Sequence, residues 1–301
     1  MQLDFFFESI YLPRRLRGKS PRSVDLYRMT LRQFARTLGR PPCVSDLTEE
    51  TVLRHLARRS DVSPATRNKE LNQLAAMWRL ACRRGMLAEW PDIRHEREPE
   101  RTPVAWMPDE LERLLRSAES AEGVIGDVPA GRWWGAFVRV ALDTGERISA
   151  MLQSRWDGLH GAWLDVSAEA RKGKTRDRRY RLSDATVGAL ALLRPHTEAS
   201  ERLFPWPYAP TYIWSKYRQI VQKAGLPTGR KYQLHCLRKT MASVIYAAGL
   251  DPQEALDHSD RRTTAKYIDP RFSRTRQPCD VLTEWLAKPK RKRDDDQRDV
   301  G

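Results

Sequence analysis

Apolar positions in the first 90 residues recur at the spacing of buried helix faces. Leu3 to Leu12 is a short apolar stretch, and the stripe from Val24 to Leu38 alternates steps of three and four, which is typical of an amphipathic helix. Ser20-Pro21, Thr48 and Ser63-Pro64 have the residue types that favour helix starts. The pattern therefore predicts an all-helical bundle over residues 1–90.

Basic residues lie outside the apolar faces of these predicted helices. Those expected on the outward faces are Arg28, Arg32, Arg36, Arg67, Lys69, Arg79 and Arg83. A single arginine on a helix is most often a solvated surface residue. Together, however, these side chains predict a surface that binds phosphate groups without reading base sequence.

The pattern changes after residue 90. Residues 91–103 contain three prolines and almost no apolar side chain, which predicts a linker. Residues 104–287 then predict a second domain, and the charge block of residues 288–301 predicts a disordered tail.

The second domain mixes helical and strand patterns. A proline-initiated helix is predicted from about residue 108, a loop around 121–131, and a buried helix leading to Arg147. Trp163 to Ser167 alternates briefly, and the turn KGKTRD and the run RRYRL follow it, which predicts a β-hairpin. Later helices are predicted over Asp184–Leu193, over Tyr212–Ala224 and from His235. The predicted fold class is mainly α with a small β-hairpin or sheet.

The composition of the chain narrows the class of molecule that it is expected to bind. The 301 residues carry 54 Lys and Arg against 39 Asp and Glu, a formal net charge of +15, which favours a polyanionic partner. Charge alone does not separate DNA, RNA and an anionic membrane, but no apolar run approaches the roughly 20 residues of a membrane span. The acidic N-terminal stretch does not resemble a secretory signal, so we expect a cytoplasmic protein.

Metal chemistry is not predicted. The four cysteines are far apart without a CxxC pair, and the six histidines form no HExxH or other close pair. We therefore expect neither a zinc site, nor a disulfide framework, nor another cofactor.

The candidate chemistry lies between His235 and Tyr267. His235 and Arg238 are three apart at the start of a predicted helix, so they share a face. His258 and Tyr267 follow. An HxxR pair alone is a weak signal, but two imidazoles, a guanidinium and a phenol in a basic chain suit a phosphodiester substrate.

These residues resemble the second catalytic box of the tyrosine recombinases, the phage-integrase family. The matching elements are H-x-L-R at His235, a small-residue helix ending at Gly249, H-S at His258 and T-T-x-x-Y at Tyr267. The first box of the family, T-G-x-R-[IV]-S, has its counterpart in Thr144–Ser149. The lysine hairpin that the family carries between the boxes corresponds to residues 170–182.

The resemblance implies a site-specific recombinase that cleaves and rejoins DNA through a 3′-phosphotyrosine intermediate without a metal. Tyr267 would be the nucleophile, and Arg147 and Arg238 would hold the phosphate oxygens, with His258 as a further donor. His235 would receive the tyrosine proton or hold the phosphate. The hairpin lysine that protonates the leaving oxygen is Lys172 or Lys174; the K-G-K pattern favours Lys172 slightly.

The resemblance also implies an arrangement of domains and partners. Residues 1–90 would be the helical, SAM-like core-binding domain, and residues 104–287 the integrase-type catalytic domain; the two would close around double-stranded DNA. Four protomers would assemble on paired sites, with a monomer in solution and the enzyme associated with the nucleoid. The apolar face from Val281 to Leu286 would either dock on a neighbouring protomer or fold back on its own domain. The sequence does not decide between these two arrangements.

Three positions depart from the family pattern. Ala150 stands where an acidic residue is expected, Lys239 follows Arg238 in place of the frequent histidine, and Asp257 replaces the glycine before His258. Asp257 is expected to pair with His258 or with a nearby arginine. Glu146, next to Arg147, is expected to face elsewhere on a helix.

Alternative functions are a DNA-binding protein of the same fold without cleavage, a type IB topoisomerase-like strand relaxer and, last, an RNA-binding protein. The complete set of site residues disfavours the first, because a pure binder has no use for Tyr267. The biological role is open among integration, movement of a mobile genetic element, cassette capture and chromosome-dimer resolution.

Overall fold

The computed structural model describes residues 1–171, 173, 176–272 and 278–287. The chain divides into two compact units, Met1–Glu100 and Arg101–Gly301. Each unit has its own hydrophobic core, and each is described by itself below.

The first unit is helical, as predicted. Its helices are α1 (Leu3–Phe6), α2 (Leu12–Arg15), α3 (Pro21–Leu38), α4 (Glu49–Arg58) and α5 (Pro64–Arg83). A π-helical turn joins α1 to α2, so the N-terminal helical segment runs past the predicted end at residue 12. Its core includes Phe6, Phe34 and Trp78, which are almost fully buried.

The predicted helix starts of this unit are confirmed. The side chain of Ser20 accepts the backbone N–H of Ser23 at 3.3 Å, and Thr48 and Ser63 begin α4 and α5 in the same way. Such caps satisfy backbone donors that the first helical turn leaves unpaired.

The segment after α5 has no helix or strand up to residue 107. Its first part is nevertheless attached to α5. The Asn68 amide donates to the Glu96 carbonyl at 2.9 Å and accepts the Glu96 N–H at 2.9 Å. The boundary between the two units lies between residues 100 and 101. The first ten residues of the predicted linker, 91–100, therefore belong to the first unit.

The second unit surrounds one nearly all-buried helix with shorter elements. Its helices are α6 (Pro108–Glu119), α7 (Ala130–Thr144), α8 (Ile148–Met151), α9 (Asp184–Leu193), α10 (Tyr212–Lys223), α11 (His235–Ala247), α12 (Pro252–Leu256), α13 (Arg261–Ala265) and α14 (Pro278–Ala287). Helix α7 is the central one: Trp133, Phe137 and Val140 are fully buried in the core. It carries the first catalytic box at its C-terminal end, so this packing fixes the position of the box.

Two small antiparallel sheets complete the unit. β1 (Val124–Ile125) and β2 (Val128–Pro129) form a hairpin inside the predicted loop 121–131. β3 (Leu159–His160), β4 (Trp163–Val166) and β5 (Arg178–Arg181) form a three-stranded sheet in that order. The hairpin predicted from the alternation after residue 163 is confirmed.

Two kinds of feature are absent from the part of the chain that the structure describes. No helix among them is long and apolar enough to span a membrane. Nor do they contain a group of three or more His, Cys, Asp or Glu side chains placed to hold a metal ion.

Candidate active site

The first box follows a left-handed turn at the end of α7. Gly145 has φ +59°, and a Cβ atom there would meet the end of the Met241 side chain, so both the conformation and the space favour glycine. The backbone then turns into α8, for which Arg147 is the N-cap residue. The tight turn sets the Gly145 carbonyl and the half-buried Arg147 beside α11.

Arg238 is the buried centre of the site. It lies in the first turns of α11 and is only 3 % exposed. One terminal nitrogen donates to the Gly145 carbonyl; the other donates to the Leu256 carbonyl at 2.7 Å and lies 3.3 Å from His258 Nε2. Its Nε has no hydrogen-bond partner among the described residues. The guanidinium therefore connects both boxes.

Tyr267 lies against the other predicted site residues. The centroid of its ring is 5.1 Å from that of His235 and 4.8 Å from that of His258, and the Arg238 guanidinium carbon lies 5.8 Å from it. The Ser243 hydroxyl donates to the Tyr267 carbonyl at 3.3 Å, which ties the tyrosine segment to α11. The structure thus brings together four residues that the sequence separates by up to 32 positions.

The hydrogen bonds of His258 define its tautomer. Arginine has donors only, so His258 Nε2 accepts from Arg238. The proton of the neutral ring is then on Nδ1, which lies 3.1 Å from the Thr264 hydroxyl. Arg238 decides the tautomer because it can only donate, whereas the Thr264 hydroxyl can donate or accept.

Both histidines are neutral at pH 7. Burial, then Arg238 and Arg147, lower the pKa of His258 to about 4, against an opposing contribution from Asp257. Although His235 is partly open to solvent, desolvation of its ring and the charges of Arg238 and Lys239 lower its pKa to about 4 as well. The site is strongly positive, so both imidazoles are in the neutral form at pH 7.

The hairpin lysines Lys172 and Lys174 lie outside the described residues. Their neighbours Arg171 and Arg176 are described. Arg171 donates to Glu146 at 2.5 Å and to Asp257 at 2.8 Å, and Arg176 donates to Asp257 at 2.5 Å.

Glu146 and Arg171 are the residues that sequence reasoning missed. Glu146 precedes α8 in non-helical backbone, so the expectation that it faces elsewhere on a helix is wrong. It is 4 % exposed and accepts from Arg171, from the Tyr180 hydroxyl at 2.5 Å and from the Arg147 N–H at 3.1 Å. A usable signal was the acidic residue beside Arg147 in a box whose usual acidic position is Ala150.

The departures at Ala150 and Asp257 have structural explanations. Ala150 is fully buried, so its position has no space for an acidic side chain without rearrangement. Asp257 adopts the left-handed conformation at φ 53°, which explains why glycine suits this position. Of the two pairings expected for Asp257, the hydrogen bonds go to arginines, Arg171 and Arg176.

The predicted DNA-binding residues of the first unit lie at its surface. Arg32, Arg36, Arg79 and Arg83 are exposed, and Arg28, Arg67 and Lys69 are partly exposed. Arg28 pairs with Glu8 at 2.8 Å, and Arg67 pairs with Glu96 at 2.6 Å. These two arginines carry their own counter-charges, whereas Arg32 and Arg36 have no ion pair among the described residues.

A family model agrees with this geometry. The model of the phage integrase family matches residues 106–274, a range that includes every predicted catalytic residue. The chain belongs to the phage integrase family. It is a tyrosine recombinase, the class of enzyme that performs site-specific DNA recombination.

Individual relatives support the same placement. An integrase/recombinase of Sinorhizobium fredii, y4rC, is 28 % identical over 96 % of this chain and 94 % of its own length. Tyrosine recombinase XerC of Lactobacillus leichmannii is 26 % identical over 83 % of this chain and 89 % of its own.

Solved structures show the same fold. A lambda integrase dimer (residues 75–356) bound to a core site superposes with a TM-score of 0.70 at 17 % identity, covering 92 % of this chain and 98 % of that one. A lambda integrase tetramer on a Holliday junction gives 0.68 at 17 % identity over 86 % and 78 %. The predicted mainly helical fold with small sheets is thereby confirmed.

We predict that His258 makes the protein lose stability in mild acid. Its folded pKa of about 4 lies below the ordinary value near 6.5, so the unfolded chain binds the proton more tightly. The free energy of unfolding should therefore fall as pH drops from about 6.5 to 4, by on the order of 2 kcal/mol from this group. In His258→Gln the melting temperature should fall less between pH 7 and pH 5 than in wild type. Parallel losses in the two proteins would contradict this assignment.

Proposed function

We propose that Tyr267 is the nucleophile of DNA strand cleavage and that Arg147, Arg238, His235 and His258 form the phosphate site in front of it. The observation that carries this proposal is the buried guanidinium of Arg238, whose Nε has no partner among the described residues. A buried cation with an unmade hydrogen bond is costly unless an anion binds there. A DNA phosphate next to the Tyr267 ring supplies that anion.

In the cleavage step, Tyr267 supplies the attacking oxygen and the two arginines stabilise the charge. The Tyr267 oxygen attacks phosphorus and forms the 3′-phosphotyrosine, while the bond from phosphorus to the 5′ oxygen breaks. The two arginines stabilise the negative charge that grows on the non-bridging oxygens, because they are permanently charged and donate in a fixed geometry. Rejoining is the reverse attack by the 5′ hydroxyl of a partner strand.

Proton transfer is assigned to groups on both sides of the phosphorus. The His235 ring contacts that of Tyr267, and a bound phosphate would offset the arginine charges that lower the pKa of His235, so His235 is placed to accept the phenol proton in the complex with DNA. The 5′ oxygen takes a proton from the hairpin lysine, Lys172 or Lys174. A bound phosphate offsets the repulsion from Arg147 and Arg238, so the pKa of His258 rises on binding and His258 becomes a donor to the phosphate.

The basic helix faces of the first unit are proposed to bind the DNA backbone. Arg28, Arg32 and Arg36 are four residues apart on α3, so their side chains share one face. The exposed Arg79 and Arg83 repeat this spacing on α5. This surface would position duplex DNA without specifying its sequence, in the nucleoid of the cytoplasm.

Assembly into a tetramer on paired DNA sites is proposed from α14. Leu282 and Leu286 share one face of this helix and are 55 % and 68 % exposed. The second unit also has a partly apolar groove of about 420 Å³ that Met241, Val244 and Ile245 help to line. Insertion of α14 from one protomer into this groove of the next would join protomers head to tail, and such contacts close into rings.

Covalent trapping tests the role of Tyr267. We expect wild-type protein, mixed in EDTA with nicked duplexes carrying a randomised core, to form detergent-resistant adducts that mass spectrometry maps to Tyr267. The recovered DNA then gives a cleavable site. Tyr267→Phe should form no adduct because it lacks the attacking oxygen, yet it should bind the recovered site. Adducts with the phenylalanine variant, or a strict need for a divalent cation, would refute the proposed site; binding without adducts by wild type would favour the non-cleaving alternative.

Salt dependence tests the basic face of α3. The double variant Arg32→Gln, Arg36→Gln should bind a short duplex more weakly and lower the salt slope of log K by about 1–2, because each phosphate contact contributes about 0.9. Arg40→Gln is the matched control, because Arg40 is an exposed arginine already paired with Asp46 at 2.6 Å. An unchanged slope in the double variant would exclude this face as a DNA contact.

Size measurement on DNA tests α14. Leu282→Ser, Leu286→Ser should still cleave a single site but should no longer form the complex of four protomers with two sites in light scattering, because the apolar face is lost. Leu192→Ser is the control, as Leu192 is also an exposed leucine at 53 %. A tetramer formed equally well by the double variant would exclude α14 as the connecting element.

A further inference from the structure

The side chains of Asp269 and Arg271, which follow Tyr267 closely in the chain, bind the backbone of Ala105. The Asp269 carboxylate accepts the Ala105 N–H at 2.8 Å, and the Arg271 guanidinium donates to the Ala105 carbonyl at 2.7 Å. Arg271 also donates to the Asp269 carboxylate at 2.8 Å. Both backbone polar groups of Ala105 are therefore held by a segment whose carboxylate lies 164 positions further along the chain.

One buried face of α11 holds the residues on either side of this backbone contact. The Cys236 thiol donates to the Val104 carbonyl at 3.2 Å, and the Thr240 hydroxyl accepts the Trp106 N–H at 2.9 Å. Residues four apart on a helix lie on the same face, and both of these α11 residues are only 1 % exposed. Residues 104–106 are thereby fixed to the helix that carries the second catalytic box.

The segment that contains Tyr267 is attached to the same helix further along. The Ser243 hydroxyl accepts the Asp269 N–H at 2.9 Å and donates to the Tyr267 carbonyl at 3.3 Å, and Ser243 is fully buried. Between these two contacts, Ile268 packs against a small apolar cluster that includes Met241. The Tyr267 segment is thus held by α11 and, through the Asp269 carboxylate, by the backbone of residue 105.

Asp269 is charged although it is buried. Its side chain is 3 % exposed, and this burial acts to raise the pKa of the carboxyl group. The hydrogen bonds from Arg271 and from the Ala105 N–H outweigh the effect of burial, so the pKa of Asp269 lies below its ordinary value. Hydrogen bonds to an ionised acceptor are shorter and stronger than those between neutral groups. An ionised carboxylate here therefore fixes the backbone near Tyr267 more firmly than a neutral side chain would.

We infer that Asp269 is a positioning residue for Tyr267: it fixes the backbone of the nucleophile relative to residues 104–106, which follow the predicted linker. The inference rests on the proposed function, because it assumes that the Tyr267 oxygen attacks phosphorus. An attacking atom must be held within a fraction of an ångström of its productive position. Loss of the Asp269 contacts should therefore slow cleavage and leave DNA affinity unchanged.

Three variants separate positioning from folding. Asp269→Ala removes the contacts with Ala105 and Arg271 together. Asp269→Asn keeps an oxygen that can accept the Ala105 N–H but loses the ion pair, so it should retain part of the function. Arg271→Gln weakens the same contacts from the other side, and it should fold because the Arg271 side chain is 47 % exposed. Thermal melting checks the fold of each variant.

Fluorine NMR of the DNA-free protein tests the position of the nucleophile. A fluorotyrosine placed at position 267 reports on the rings of His235 and His258, whose centroids lie 5.1 and 4.8 Å from that of the Tyr267 ring. We expect the resonance of the folded wild type to differ from that of the urea-unfolded protein, because neighbouring rings shift it. In Asp269→Ala the resonance should move towards the unfolded position, and Arg271→Gln should move it in the same direction.

Single-turnover adduct formation, on the cleavable site recovered by covalent trapping, measures the effect on cleavage. At saturating DNA, Asp269→Ala should form adducts about 10- to 100-fold more slowly than wild type, because a displacement of about 1 Å can cost about a hundredfold in rate. The DNA concentration that gives half of the maximal rate should stay unchanged, because Asp269 acts through the backbone of the Tyr267 segment. Asp269→Asn should recover part of the rate.

Ser117→Ala is the matched control, because it also removes a buried hydrogen bond from the catalytic unit. The Ser117 hydroxyl donates to the Ile220 carbonyl at 2.8 Å and so joins α6 to α10. This variant should keep the wild-type resonance and the wild-type rate.

An unmoved resonance or a wild-type rate in folded Asp269→Ala would overturn the inference, and so would equal changes in Ser117→Ala. If Asp269→Ala does not fold, Arg271→Gln decides by the same two criteria. Absence of adducts with wild-type protein would instead refute the proposed role of Tyr267, while the fluorine resonances would still show whether Asp269 holds the segment.

Discussion

A buried arginine that pairs with no carboxylate in the described part of the chain governs the architecture of the catalytic unit. Moving a full positive charge out of water is expensive, and the cost must be offset by hydrogen bonds. Here Gly145 after α7 and Leu256 at the end of α12 offer Arg238 their carbonyls. The last carbonyls of a helix have no partner within the helix and carry partial negative charge. The two helix ends thus hold the cation in place and leave its net charge for a phosphate.

The remaining features of the site follow from the way in which backbone carbonyls, and not carboxylates, hold Arg238. Burial and the positive charges of Arg238 and Arg147 make the imidazoles beside them resist protonation, so both rings are neutral at pH 7. Carboxylates are present, but they are directed towards the hairpin arginines. A site built in this way suits the phosphodiester proposed as its substrate, because its positive charge is held by backbone carbonyls and its carboxylates are bound elsewhere.

The helical unit and the catalytic unit differ in how strictly their functional residues must be placed. In the first unit an apolar stripe on each long helix builds the core, and the opposite faces carry arginine, so the DNA affinity proposed for this unit needs no special geometry. In the second unit the residues that matter are few, and their value depends on distances of a few ångströms. This difference explains why the site motifs are sharp in the sequence whereas the basic faces are diffuse.

The sequence by itself determined most of the helices, the hairpin after residue 163, and which residues are candidates in both boxes. Local rules carry these features: helix caps at Ser20 and Ser63, apolar periodicity, and a left-handed glycine before Arg147. It could not show that Glu146 binds Arg171 and Tyr180, that Asp257 pairs with Arg171 rather than with His258, or that the Nε of Arg238 has no partner among the described residues. Those facts depend on which side chains meet across long stretches of chain, and only close packing in three dimensions decides that.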